Sequence, residues 1–404
     1  MADNVPEHTV SETVCNDGKA GMTKWTQLRR LMRKPLLLWA IALLAVAGPL
    51  APPPAWAQTQ SSVFSVSAVP VDVTSASAAA AREQARADGE RRAFSMLLQR
   101  LVQKDDWARL PKVSDADLTE FLQDFEVDDE HTSPVRYLAK LTFRFRPEPV
   151  RRVLRDAGIP FTETRSKPLI VVPVWHVNSQ SVLWDDANSQ PNPWRAAWNK
   201  APLDDGLVPM KLPLGELADI QAIDADHAVS GDKAALLTIA HRYDDGDVLV
   251  TQATLSGAGN GRILDLTATR FGAGYQDQTW VGSLKADAGE TDDDFLTRGV
   301  ASVIADVSES WKKATVFRPG GAAKMVASVP VTKLEDWVAV RSRLDGIPAI
   351  QSTALVTLSR TGARIEIRYL GDSSQLQLAL AQRDLVLAPG DPDWTLEAKP
   401  PSGQ

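Results

Sequence analysis

Cysteine is all but missing from this chain of 404 residues; the single one is Cys15. It lies ahead of a segment that reads as a cleavable leader. The chain from Gln58 onward therefore can form no disulfide, no thiolate nucleophile and no cysteine-ligated metal site, and an oxidising compartment places no constraint on it. Histidine is sparse as well. Beyond the leader there are His131, His176, His227 and His241, none at the spacing with glutamate that builds a zincin site. No serine sits in a glycine-flanked nucleophile elbow. Positive charge is in deficit, with a net charge of −7, which argues against the basic field that non-specific nucleic-acid binding needs. No apolar run near the ~18 residues of a membrane helix follows Gln58. These absences lead us to expect no nucleic-acid partner, no cofactor and no bilayer span after cleavage.

The leader itself is explicit. Arg29, Arg30, Arg33 and Lys34 form a basic flank, and Leu36 to Ala47 is an apolar run. Pro49 and Pro52 to Pro54 break the run, and Ala55-Trp56-Ala57 places small residues around a cut before Gln58. This is the order of a secretory signal peptide, and its apolar run falls short of the ~20 residues of a comfortable span. We read 1–57 as a removed leader, with Met22 a better-placed start than Met1, and the remainder as a soluble periplasmic protein.

Three modules follow, at 58–165, 166–316 and 317–404, so the fold class is α/β and α+β multidomain. The first reads β-α-(α)-β-β-α. A strand near Val63 to Val73 leads to a long helix capped by Thr74 to Ser77, with Phe94, Leu97, Leu98 and Leu101 as its buried stripe. A short helix near Asp115 to Leu122 and two strands near Leu122 to Asp128 and Val135 to Phe145 come next. Leu141, Phe143 and Phe145 alternate with Thr142, Arg144 and Arg146, so one face is buried and the other wet. Pro147 to Ala157 closes the module as a helix that Gly158 stops.

The second module is a mixed-sheet α/β unit. Leu169 to Val174 is a continuous apolar run, the mark of a strand buried on both faces. Helices are expected at Trp194 to Asn199, Leu214 to Ile220 and Asp232 to Tyr243. Strands are expected at Asp247 to Leu255, Arg262 to Phe271 and Gln276 to Leu284, and a long helix after Thr291. A linker at Arg318 to Ala323 leads to the third module, which reads βαββαβ, the ferredoxin-like order. Its helix at Lys333 to Leu344 is expected to turn Leu334, Trp337, Val338 and Leu344 inward.

Four tryptophans, Trp175, Trp184, Trp194 and Trp198, fall within a short stretch rich in proline and asparagine. They fit a groove for a glycan or an extended peptide. They fit a loop pinned onto the α/β core better, and that reading is favoured. Arg144, Arg146, Arg151 and Arg155, with Arg152, form the densest basic group, which would suit an anionic partner or a solvated face. Asp224, Asp226 and His227 suggest a metal group only weakly, because a helix-flanking loop explains them. Asp244-Asp245-Gly246-Asp247 lacks the remaining ligands of a calcium loop. Gly257 to Gly261 joins two strands, so it cannot aim a helix N-terminus at a phosphate.

The segments Val71-Asp72-Val73, Arg136-Tyr137 and Ala157-Gly158-Ile159-Pro160-Phe161, with Leu183-Trp184 and Asn192-Pro193-Trp194-Arg195, resemble the bacterial domain-of-unknown-function family 2066. That resemblance implies an exported protein but supplies no activity and no site residue. The middle module is also similar in layout to the α/β domains of envelope proteins such as TolB and CsgG, an analogy of fold alone. Taken together, we expect a non-catalytic binding or assembly scaffold with envelope-protein partners. The alternatives are a glycan- or peptidoglycan-binding protein using the tryptophans and a periplasmic hydrolase using Asp/Glu catalysis.

Overall fold

The structure, a computed structural model, describes residues 63–185, 191–244, 246–272, 277–317, 322–359 and 362–399. The leader, the start of the linker and the last residues of the tail lie outside the described residues. Among the described residues there are three sheets, and the architecture is mixed α/β.

The first sheet is built from β1 (Ser65–Thr74), β2 (Leu122–Thr132) and β3 (Arg136–Phe145), in the order β1-β3-β2, all antiparallel. Helix α1 (Ala78–Leu101) starts where Ser77 accepts a hydrogen bond from the Ala80 N–H. It lies on one face of the sheet through Ala81, Ala85, Ala93, Phe94, Leu97, Leu98 and Leu101. Gly89 lets it approach closely: a Cβ there would stand 3.1 Å from both Phe143 and Val71. Each large apolar side chain so buried contributes about 1.5–3 kcal/mol. Helix α2 (Asp115–Phe121) is capped by Ser114, and α3 (Pro147–Asp156) begins on a proline whose missing N–H costs nothing in the first turn. Gly158, at φ +63°, ends α3 as expected.

The second sheet follows the order β5-β4-β7-β8-β9, from β4 (Leu169–Val177), β5 (Gln180–Val182), β7 (Val248–Ser256), β8 (Ile263–Phe271) and β9 (Gln278–Lys285), with the two-residue β6 (Met210–Lys211) beside β4. β4 and β7 run parallel, and the remaining long pairs are antiparallel. Helices α4 (Pro193–Lys200) and α8 (Asp292–Thr315) pack with one face; α5 (Leu217–Ala222), α6 (Ala225–Ser230) and α7 (Lys233–Arg242) pack with the other. That double cover is why Leu169 to Trp175 are buried without a break. The short β5, β6 and α6 were not signalled by the sequence, because each is too brief to set up a hydrophobic period.

One continuous core joins α1 and the first sheet to α8 and the face of the second sheet that α8 covers. Trp311 Nε1 donates to Thr164 O at 2.6 Å, and Thr162 Oγ1 donates to Thr315 Oγ1 at 3.0 Å.

The third sheet contains β10 (Ala322–Pro330), β11 (Ile350–Leu358), β12 (Gly362–Leu370), β13 (Leu385–Ala388) and β14 (Trp394–Ala398), ordered β11-β12-β10-β14-β13. β14 inserts beside β10 in parallel, and the other pairs are antiparallel. Helices α9 (Leu334–Leu344) and α10 (Ser373–Ala381) belong to this module. In α9 the expected inward set is corrected: Val340 and Leu344 are buried, while Leu334 and Val338 are 65% and 58% exposed. Trp337, Val340 and Leu344 already form a stripe three and four residues apart; Val338 lies one position round from it and Leu334 sits in the open first turn. The module is tied back to the second by Lys167, whose N–H donates to Gln382 Oε1 at 2.8 Å, and by Gln375 Nε2, which donates to Val316 O at 2.9 Å.

Candidate functional surface

The tryptophans do not line an open groove. Trp194 and Trp198 have no exposed surface, and Trp175 and Trp184 are buried. Trp194 meets Trp198 edge-on with centroids 5.9 Å apart. Its Nε1 donates to Thr251 Oγ1 at 3.0 Å, and Trp184 Nε1 donates to Ile223 O at 2.7 Å. The organiser of this region is Asn192, which the sequence did not single out. Its side-chain amide faces the carbonyls of Pro173, Val182 and Leu183 at 2.9–3.0 Å, and its Oδ1 caps α4 by accepting from the Arg195 N–H at 2.8 Å. Arg195 then lies over the Trp184 ring at 5.4 Å and donates to Pro213 O and Leu214 O. Asn192-Pro193-Trp194-Arg195 is therefore a cap, a helix start, a core anchor and a clamp. The signal that could have shown this is the Asn-Pro pair, an N-cap followed by proline in the first turn.

The arginines do not converge on one anion site. Arg144 pairs with Asp124 at 2.6 Å and Glu126 at 2.7 Å on the outer face of the first sheet. Arg146 donates to Glu120 O at 3.2 Å. Arg151 makes a two-pronged contact to Glu163 at 2.6 and 2.7 Å and also meets Glu148. Those carboxylates, Glu163 above all, hold its guanidinium charged beyond its ordinary range despite partial burial. Arg155 reaches the same Glu148 at 3.7 Å. Only Arg151 and Arg155 share a partner, so the group is a set of internal ties.

The remaining sequence candidates also have structural roles. Asp224 caps α6 by accepting from the His227 N–H at 2.8 Å, and its carboxylate raises the His227 ring above its usual range. Asp247 holds Arg270 at 2.5 Å. Gly246 sits where a Cβ would meet Pro168 O at 2.3 Å, which explains the glycine without a calcium ion. Ser181 Oγ lies 3.1 Å from His176 Nδ1, and His176 Nε2 lies 3.0 Å from Gln252 Oε1. Ser181 stands directly opposite His176 in the β4–β5 register, so the pairing follows from the hairpin.

Asp219 is the most deeply engaged carboxylate. It has no exposed surface and accepts from Arg242 Nε, Tyr243 OH and the N–H of Gly215 at 2.8, 2.8 and 3.0 Å. Burial pushes its pKa up, but these donors outweigh burial and hold it below the usual carboxylate range. A folded-state pKa depressed in this way gives stability that is present above the unfolded value and lost as pH falls through the folded value. Asp219→Asn should therefore destabilise the protein near neutral pH and flatten its loss of stability in acid. Denaturant midpoints measured from neutral pH down to the acid limit would check this; parallel curves for the two proteins would refute it.

Among the described residues, one open surface is the outer face of the first sheet, opposite α1. β3 places Arg136, Leu138, Lys140, Thr142 and Arg144 there, with none of them buried. The cations on this central strand are flanked by carboxylates on both neighbours. Arg136 pairs with Asp72 of β1 at 2.6 Å, and Lys140 with Asp129 of β2 at 2.6 Å. Arg136 holds the Asp72 carboxyl below its usual range, and Lys140 does the same for Asp129. Exposed pairs of this kind contribute little to stability, so a partner can exchange them at small cost. Beside them a cleft of ≈ 860 Å³ wraps the free edge of β1, lined among others by Pro70, Asp72, Arg92, Leu138 and Lys140. The alternation of β3 predicted a wet face; the matching carboxylates come from the adjacent β2 and the distant β1, and only the strand register sets them opposite their cations.

The sequence profile of one family, a domain of unknown function (DUF8605), matches residues 67–163. This corrects the resemblance to family 2066: the matched family is a different one, and the match covers the first sheet with α1 to α3 and not the tryptophan region. No curated protein and no solved structure matches the chain, so the likeness of the middle module to TolB and CsgG gains no support either. Among the described residues, no helix is long and apolar enough to cross a membrane.

Proposed function

We propose that this chain is an exported, soluble periplasmic protein that binds or assembles envelope proteins and performs no chemistry of its own. The leader at 1–57 supports the location. The modules are taken as βαββα at 58–165, mixed-sheet α/β at 166–316 and ferredoxin-like with an added strand at 317–404. What carries the reading is the open outer face of the first sheet: exchangeable ion pairs around Leu138, beside a cleft, within the segment that matches DUF8605. Charged faces of this kind steer encounter and set specificity more than they set affinity. In support of this reading, Asp219, Asp224, Asp247 and His176 are engaged as ties and caps, and the four tryptophans are buried.

The test is photo-crosslinking in intact cells. A crosslinking residue at Lys140, on this face, should yield one discrete adduct with an envelope protein, on molecules whose N-terminus is Gln58. The same residue at Ala305, on the exposed side of α8, should not. Equal labelling from both positions, or adducts only on cytosolic molecules with an intact leader, would remove the proposal.

A further inference from the structure

Edge strands carry rows of unpaired N–H and C=O groups, and proteins normally guard them. Most edges here are guarded. On β1, Pro70 has no N–H and its carbonyl accepts from Arg92 at 2.6 Å. β2 carries Asp124, Glu126, Asp128, Asp129 and Glu130. The register of β11 breaks between Ile350 and Ser352 and again between Leu355 and Thr357. β5 and β13 are three and four residues long.

β9 has none of these devices. Its register with β8 runs unbroken from Gln278 opposite Arg270 to Lys285 opposite Ile263. It has no proline and no charge before Lys285, and Val281 at its centre is 80% exposed. Ala286 N–H donates to Arg262 O at 3.0 Å. That bond fixes the alternation of the ladder: even-numbered residues of β9 pair with β8, and Thr279, Val281, Ser283 and Lys285 turn their backbone groups outward. The Lys285 carbonyl is already taken by Arg298 at 2.8 Å, which leaves the run from Thr279 to Ser283 open among the described residues.

We propose that this edge is an interface with a second copy of the chain, β9 pairing antiparallel with β9 about a two-fold axis at Val281. A two-fold perpendicular to the sheet keeps each residue on its own face, so outward residues must meet outward residues. Centring on Val281 satisfies this and makes the strand complementary to itself. Val281 faces Val281 of the second copy, and Thr279 faces Ser283. Asp277, exposed just before β9, faces Lys285 at both ends. On the other face Trp280 comes opposite Gly282, where nothing lies within 4 Å of an added Cβ, so the ring meets open space. The pairing makes about six new interstrand hydrogen bonds and joins the two second sheets into one. No other register of the outward residues matches both the charges and the tryptophan–glycine pair. The inference stands apart from the envelope role.

Sedimentation of the full chain tests it. The expected result is a concentration-dependent dimer. Val281→Lys places like charges at the axis and should give a monomer whose unfolding midpoint matches that of the parent chain at a dilution where the parent is monomeric, because the side chain is exposed. Asp277→Lys and Lys285→Asp should each weaken the dimer roughly tenfold or more, since each sets like charges opposite one another. The double exchange should restore it. A chain that stays monomeric at every concentration, or a dimer indifferent to Val281→Lys, would overturn the proposal. A double exchange that fails to restore association would overturn the register.

Discussion

Trp194→Ala is expected to lower the stability of the protein by about 3–5 kcal/mol, the range for removing a fully enclosed large aromatic. The ring has no exposed surface, stands edge-on to Trp198 and is joined to Thr251. Removing it opens a cavity between α4, α8 and the second sheet and leaves the buried Thr251 hydroxyl without its donor. The site cannot collapse easily, because Gly299 already brings α8 close: its added Cβ would lie 3.2 Å from the Trp194 ring. Trp184→Ala should cost less. That ring is at the margin of the core, and its loss removes one hydrogen bond to Ile223 O and the platform under Arg195. Urea denaturation of the three proteins decides the matter. If Trp194→Ala unfolds at the same midpoint as the parent chain, the ring is not core and a tryptophan-lined glycan groove returns as the better account.

The difference between what was legible and what was not is clear in this same region. The run from Leu169 to Val174 announced a strand covered on both faces, and the stripe of Phe94, Leu97, Leu98 and Leu101 announced the buried side of α1. Both signals are periodic and local, and the structure has both elements there. Four tryptophans in a loop carry no period. Whether they face in or out depends on what Asn192 does with three carbonyls from two separate segments, a matter of tertiary geometry. The arginines were misleading for a related reason. Their density in sequence is real, but Glu163 follows Arg151 after a turn and Asp124 reaches Arg144 across a strand pair, so the charge is cancelled by partners that no linear spacing reveals. The α9 helix shows the limit of periodicity itself: Leu334, Trp337, Val338, Val340 and Leu344 offered two overlapping stripes, and only packing chose between them.

The second large effect concerns Lys312, a buried cation on α8 that no sequence pattern marked. Its ammonium donates to Gln99 O at 3.0 Å and Val102 O at 2.8 Å, at the C-terminal end of α1. Those are carbonyls that a helix leaves unsatisfied, at the negative end of its dipole. Glu309 stands 2.8 Å away on the same helix and also accepts from the Lys104 N–H, while the Trp107 ring lies 5.5 Å from the ammonium. One charge thus ties the end of α1, the turn after it and α8 together. Lys312→Met keeps the aliphatic stem but leaves the Gln99 carbonyl without this donor, the Val102 carbonyl with Trp107 Nε1 alone, and Glu309 without its cation. We expect a loss of about 2–4 kcal/mol from those unmet groups. Hydrogen exchange should speed up in the last turn of α1 before it does in β4, because the tie is local to that helix end. The double variant Lys312→Met with Glu309→Gln should recover part of the loss, since neighbouring charges couple by ~0.5–3 kcal/mol. If Lys312→Met changes neither the unfolding midpoint nor exchange at Gln99 to Val102, the ammonium is dispensable, and apolar packing around Phe94, Leu97 and Trp311 alone holds α1 against α8.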